Sequence, residues 1–130
     1  MLKILLVDDS EDSRLLVPAL LRKYACQIDT AENGQVALDR LSAASYDLVL
    51  MDMQMPVLDG FEATRMIRER ERGSGKGKRL PIIAMSAFEC DAERAQMASA
   101  GCDDHLSKPF RKEQLLALLN KLCDNLEEKI

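Results

Sequence analysis

The stretch Lys3-Ile4-Leu5-Leu6-Val7-Asp8-Asp9-Ser10 decides how this chain folds. Its apolar run is short and unbroken from Ile4 to Val7, as in a strand covered on both faces, and it stops at an acidic turn. Leu15, Leu16, Ala19, Leu20 and Lys23 then recur at helical spacing. The unit is therefore strand, turn, helix, and it repeats. QIDTA (Gln27 to Ala31) precedes a helical pattern through Val36, Ala37, Leu38 and Leu41. DLVLM (Asp47 to Met51) precedes Phe61, Ala63, Thr64, Met66 and Ile67. LPIIAM (Leu80 to Met85) precedes Ala92, Ala95, Gln96, Met97 and Ala98. DHLS (Asp104 to Ser107) precedes Leu115, Leu116, Leu118, Leu119 and Leu122. Strict alternation requires right-handed crossovers between parallel strands, with helices on both faces. The predicted fold is α/β, a doubly wound five-stranded parallel sheet with five helices.

A chain of 130 residues, 47% of them hydrophobic, has material for one domain around one core. Its formal charge of −4 supplies no positive field for nucleic acid or an anionic membrane surface, so both are excluded as partners of this chain alone. Cys26, Cys90, Cys102 and Cys123 lack paired metal-ligand spacing and read as reduced thiols. No secretion signal and no apolar run near the roughly 18 residues of a membrane span is present, which predicts a soluble cytoplasmic protein.

Pro18 falls inside the first helical pattern, where its missing donor costs about 3 kcal/mol and predicts a kink. The run Gly73-Ser74-Gly75-Lys76-Gly77-Lys78 looks like a phosphate-binding loop but lacks the required glycine before a Gly-Lys-Ser/Thr. It also precedes a strand, on the rim away from the acids, and is read as a mobile basic surface loop.

In a doubly wound sheet the reactive rim lies beyond the carboxyl ends of the strands. That rule selects Asp8 and Asp9 after the first strand, Asp52 after the third, Ser86 after the fourth and Lys108 after the fifth. Any one of these alone is more commonly a cap, a turn residue or a solvated charge. Their joint arrival at one rim favours a site. Three carboxylates brought together repel and raise one another's pKa unless a cation offsets them, and hard oxygen ligands suit Mg²⁺, commonly together with a phosphate. A carboxylate can itself attack phosphorus, and Asp52 is the best-placed nucleophile. Ser86 and Lys108 then offer a hydroxyl and an ammonium group to phosphoryl oxygens.

With LLVDDS at the first turn, MDMQMPVLDG at the third, MSA at the fourth and LSKPF at the fifth, the chain resembles the response-regulator receiver family over nearly its whole length. The resemblance implies a flavodoxin-like strand order of 2-1-3-4-5, Asp52 as phosphoacceptor, and Mg²⁺ held by Asp9, Asp52 and the backbone carbonyl of Gln54, with Asp8 acting through water. It implies that Ser86 swings toward the phosphoryl group while Lys108 binds its oxygens, and that the Lys108-Pro109 peptide is cis. Where family members carry Tyr or Phe three positions before the lysine, this chain has His105, which is either a packed or solvent-facing ring or a substitute rotamer switch. Phe88, two residues past Ser86, is expected to hinder attacking water and slow the loss of the phosphate.

The implied partners are a histidine kinase or a histidine-phosphotransfer protein upstream and a target protein downstream, with a homodimer on phosphorylation as a further option. The expected layout is a receiver domain over residues 1–123 and a short charged tail over 124–130, too short for an output domain. MDMQMPVLDGFEATRMIR with LPIIAMSA resembles receivers attached to hybrid histidine kinases, while the start at Met1 favours a free-standing protein. Such a domain is a switch that catalyses only its own phosphorylation and dephosphorylation, not an enzyme. One rival is a haloacid-dehalogenase-like hydrolase passing through an aspartyl phosphate, but that class carries a second acid where Gln54 stands. The other is an interaction module of the same fold that works without phosphorylation.

Overall fold

A computed structural model describes residues 2–24, 26–74, 79–87 and 90–122. The chain alternates β1 (Leu2–Val7), α1 (Glu11–Leu20), β2 (Cys26–Ala31), α2 (Gly34–Ala43), β3 (Leu48–Asp52), α3 (Gly60–Ser74), β4 (Ile82–Ser86), α4 (Asp91–Ala100), β5 (Asp104–Ser107) and α5 (Lys112–Leu122). The strands form one sheet in the order β2-β1-β3-β4-β5, with every neighbouring pair parallel. Both the doubly wound class and the implied order are therefore found.

The three central strands read as continuous apolar runs because alternate residues serve opposite layers. Ile4, Leu6, Leu48, Leu50, Ile83 and Met85 pack with Val17 of α1 and with Leu115 and Leu119 of α5. Leu5, Val7, Val49, Met51, Ile82 and Ala84 pack instead with Ala37, Ala63, Ile67 and Met97 from α2, α3 and α4. Each large side chain taken fully from water contributes about 1.5–3 kcal/mol, so this two-sided core dominates stability. Edge strands β2 and β5 are covered only in part.

Caps fix where several helices begin. The Ser10 hydroxyl accepts from the Ser13 amide, the Asn33 side-chain Oδ1 from the Val36 amide, and the Asp59 carboxylate from the Glu62 amide. At the rim away from the acids, the buried Arg68 donates to Gly101 and Leu80 carbonyls and to Glu71 and Asp103 carboxylates, tying α3 to the turns that precede β4 and β5.

Three expectations need correcting. Leu15 and Leu16 are 65% and 47% exposed, because α1 turns Val17, followed by Leu21, toward the sheet. Of the residues picked on the fourth helix only Met97 is buried, and the buried stripe is Glu93, Met97 and Ala100. Gly73 and Ser74 belong to the end of α3 and not to a loop, and residues 75–78 lie outside the described residues. Pro18 stands in the last turn of α1, two residues before the helix ends at Leu20.

Candidate functional site

Four turns meet at the carboxyl rim, where hydrogen bonds between neighbouring strands continue the ladder past the strand ends. The Asp8 amide donates to Ala31 (3.0 Å), the Met53 amide to Met85 (3.0 Å) and the Lys108 amide to Ser86 (2.8 Å). Asp8 follows β1, Asp52 and Ser86 end β3 and β4, and Lys108 follows β5. The sequence-predicted residues are thus brought together.

Asp8, Asp9 and Asp52 each present an oxygen, all within 4.8 Å of one another. Asp8 is fully buried, Asp52 is 5% exposed and Asp9 faces solvent. One Asp8 oxygen accepts from the Ser10 amide at 2.9 Å, the other from Lys108 Nζ at 2.7 Å. Lys108 Nζ also lies 3.5 Å from Asp52 Oδ2, while Asp52 Oδ1 accepts from the Gln54 amide at 3.1 Å. Arg14 Nη1 donates to the Asp8 carbonyl at 2.8 Å and braces the acidic turn.

Electrostatics follow from this crowding. Burial raises the Asp52 pKa, and the neighbouring Asp8 and Asp9 charges raise it further; the Gln54 amide and Lys108 oppose them, leaving it at about 6 against an ordinary 3.8. Burial works against the Lys108 charge, but the Asp8 and Asp52 carboxylates outweigh it and raise its pKa. One ammonium group faces three carboxylates. The donor set is all hard oxygen and short of positive charge, which fits a divalent cation such as Mg²⁺.

The loop after β3 is held close to the acids. Its Leu58 amide donates to Pro56 at 2.8 Å across Val57, whose φ of 71° marks the strained hand of a γ-turn. The Gly60 amide closes back on Met53 (3.2 Å) and the Gly34 amide on Leu58 (3.1 Å).

The response regulator receiver domain model matches residues 4–120. This chain belongs to that family. As a two-component receiver it is 46% identical over 125 residues to the two-component response regulator ORR41 of Oryza sativa subsp. japonica, covering 93% of this chain and 94% of the relative. It spans 13% or less of the length of the hybrid and sensor histidine kinases that it also matches. The receiver domain of sensor histidine kinase PA1611 from Pseudomonas aeruginosa PAO1, solved with a magnesium ion coordinated in its active-site cleft, superposes with a TM-score of 0.82. Identity is 36%, over 93% of this receiver and 96% of that one. A chain from the co-crystal structure of the Saccharomyces cerevisiae phosphotransfer protein Ypd1 with the receiver domain of Ssk1 gives a TM-score of 0.80 at 31% identity, over 93% and 86%.

The receiver's Lys108-Pro109 peptide is cis, as the resemblance implied. His105 lies on β5 with its side chain 40% exposed and Nδ1 3.8 Å from Asp104. Phe88 lies outside the described residues. Sequence reasoning missed two contacts. Arg14 could have been suspected from its place one turn past the acid pair. Glu93 could have been found from its i, i+4, i+7 spacing with Met97 and Ala100, a carboxylate on an otherwise apolar stripe.

Proposed function

We propose that Asp52 of this receiver takes a phosphoryl group from a phosphohistidine, assisted by Mg²⁺, and that the change is read by a partner protein. The observation that carries this is the cluster itself: a buried carboxylate with a raised pKa, two further acids within 4.8 Å, and a lysine 3.5 Å away. An Asp52 oxygen attacks phosphorus while the phosphorus–nitrogen bond breaks and the imidazole leaves with the bonding pair. Asp8, Asp9, Asp52 and the Gln54 carbonyl are the residues that would hold Mg²⁺, which when bound neutralises charge on the transferring phosphoryl oxygens. Lys108 moves from Asp8 to one phosphoryl oxygen and the Ser86 hydroxyl donates to another. Ser86 and His105 are the proposed switch residues, and the partial exposure of the His105 ring gives it room to change rotamer.

The donor in this reading is a histidine kinase or a phosphotransfer protein, and the Ypd1–Ssk1 pairing of a similar receiver supports it. Leu15 and Leu16, exposed on the helix that starts at the reactive rim, suit an apolar donor surface. A switch fits better than a hydrolase, because Gln54 cannot act as the general acid and base that steady hydrolysis needs. A cytoplasmic location and a downstream target protein belong to the same reading; among the described residues no helix is long and apolar enough to cross a membrane.

Intact mass after incubation with Mg²⁺ and acetyl phosphate tests the proposal. A single phosphate-sized increment is expected, lost on chelation and lost in Asp52→Asn; no increment in any condition would leave a phosphorylation-independent module. Acid should also weaken the metal site. Mg²⁺ competes with the proton that Asp52 takes up near pH 6, so below that pH its affinity should fall toward tenfold per unit. Titrations at pH 5, 6 and 7.5 check this, and a flat profile would count against Asp52 as a ligand.

A further inference from the structure

Glu93 lies on the buried stripe of α4, at 9% exposure, one helical turn from Met97 and two from Ala100. An ionisable group in such a position costs free energy unless it is paired. Its partner is the Ser86 hydroxyl, which donates to Glu93 Oε1 at 2.5 Å. Ser86 is itself 2% exposed, and its backbone is held to β5, by strand pairing with Ser107 and by the Lys108 amide on its carbonyl. The backbone is therefore fixed at the reactive rim while the hydroxyl is committed to α4.

We propose that Glu93 is a positioning residue that withholds the Ser86 hydroxyl from the phosphoryl group, so that phosphorylation must break the Ser86–Glu93 bond. This inference rests on the reading of Asp52 as phosphoacceptor. A hydroxyl proton serves one strong acceptor at a time, and a phosphoryl oxygen and a carboxylate compete for it. When Ser86 turns to the phosphoryl group, Glu93 is left as a buried carboxylate without that donor. Its way out is to carry the first turn of α4 toward water. The same bond that restrains the switch thus couples the site to α4.

The test uses beryllofluoride, a phosphoryl mimic, titrated calorimetrically with Mg²⁺ against wild type, Glu93→Ala, Glu93→Gln, Ser86→Ala and the Ser86→Ala/Glu93→Ala double variant. Glu93→Ala should bind about tenfold more tightly than wild type, the ratio matching a charge-assisted bond of ~1.5 kcal/mol. Glu93→Gln, which keeps the shape and offers a neutral acceptor, should fall between them. In the Ser86→Ala background, Glu93→Ala should change affinity less than twofold, a dependence that a merely structural role would not show. Unchanged or weaker binding by both Glu93 variants, or the same gain with and without Ser86, overturns the proposal. Failure of wild type to bind beryllofluoride at all, with Mg²⁺ present, instead overturns the phosphoacceptor reading and the inference with it.

Discussion

Gly60→Ala should destabilise the receiver by about 3 kcal/mol, as overpacking against backbone does. A Cβ at Gly60 would lie 2.2 Å from the Asp52 carbonyl oxygen and 2.8 Å from Met53 Cα. It would also lie 2.6 Å from Met53 Cε, but that flexible end can move; the two backbone atoms cannot, because Asp52 ends the central strand β3 and the Met53 amide is bonded to the Met85 carbonyl of β4. Relief therefore requires shifting either the start of α3 or the residue that carries the proposed chemistry. Loss of phosphorylation should accompany loss of stability. Gly73→Ala is the control: nothing lies within 4 Å of its Cβ, and alanine in an exposed helical position should be neutral or stabilising by up to ~1 kcal/mol. Urea unfolding of both variants decides it, and equal midpoints would show that the β3–α3 junction yields easily.

Asp52→Asn should make the metal-free receiver more stable at pH 7.5, by on the order of 2–3 kcal/mol. The folded pKa of Asp52 is about 6 against 3.8 unfolded, so the folded state binds its proton more tightly. The stability linked to that proton is fully present below pH 4 and is lost as pH rises through about 6. At pH 7.5 the wild type carries an ionised group that its buried position disfavours, whereas asparagine keeps the shape without the charge. The advantage should shrink steadily as pH falls from about 7 to 4. Saturating Mg²⁺ should reverse the order, because ligand binding stabilises only a protein that can hold the ion. Thermal melts with and without Mg²⁺ give both comparisons, and a less stable Asp52→Asn in metal-free buffer at pH 7.5 would contradict the raised pKa. The two predictions share a cause: the site is held together at the expense of crowding atoms and like charges.

Helix faces were less legible than strands. In α4, alanines at 92, 95, 98 and 100 gain so little from burial that several faces of the helix look equally apolar. The face actually buried is set by Met97 joining the apolar cluster on that side of the sheet and by the Glu93 contact with Ser86. In α1, Leu15 and Leu16 outweigh Val17 in any tally of hydrophobicity, yet Val17 is the residue held over the sheet. A sequence records which residues are apolar but not which have neighbours to meet.

What the sequence by itself determined about this receiver is local in the chain. Apolar runs ending in Asp8, Asp52, Ser86 and Lys108, alternating with helical periods, specify a parallel sheet and place those residues on one rim, because each step depends on neighbours a few positions away. Only the tertiary structure decided the partnerships. Lys108 reaches Asp8 across a separation of 100 residues, the Asp52 pKa reflects burial and charges drawn from other turns, and Ser86 turns to a carboxylate on α4. Distance and dielectric act through space, and the fold, not the order of residues, sets both.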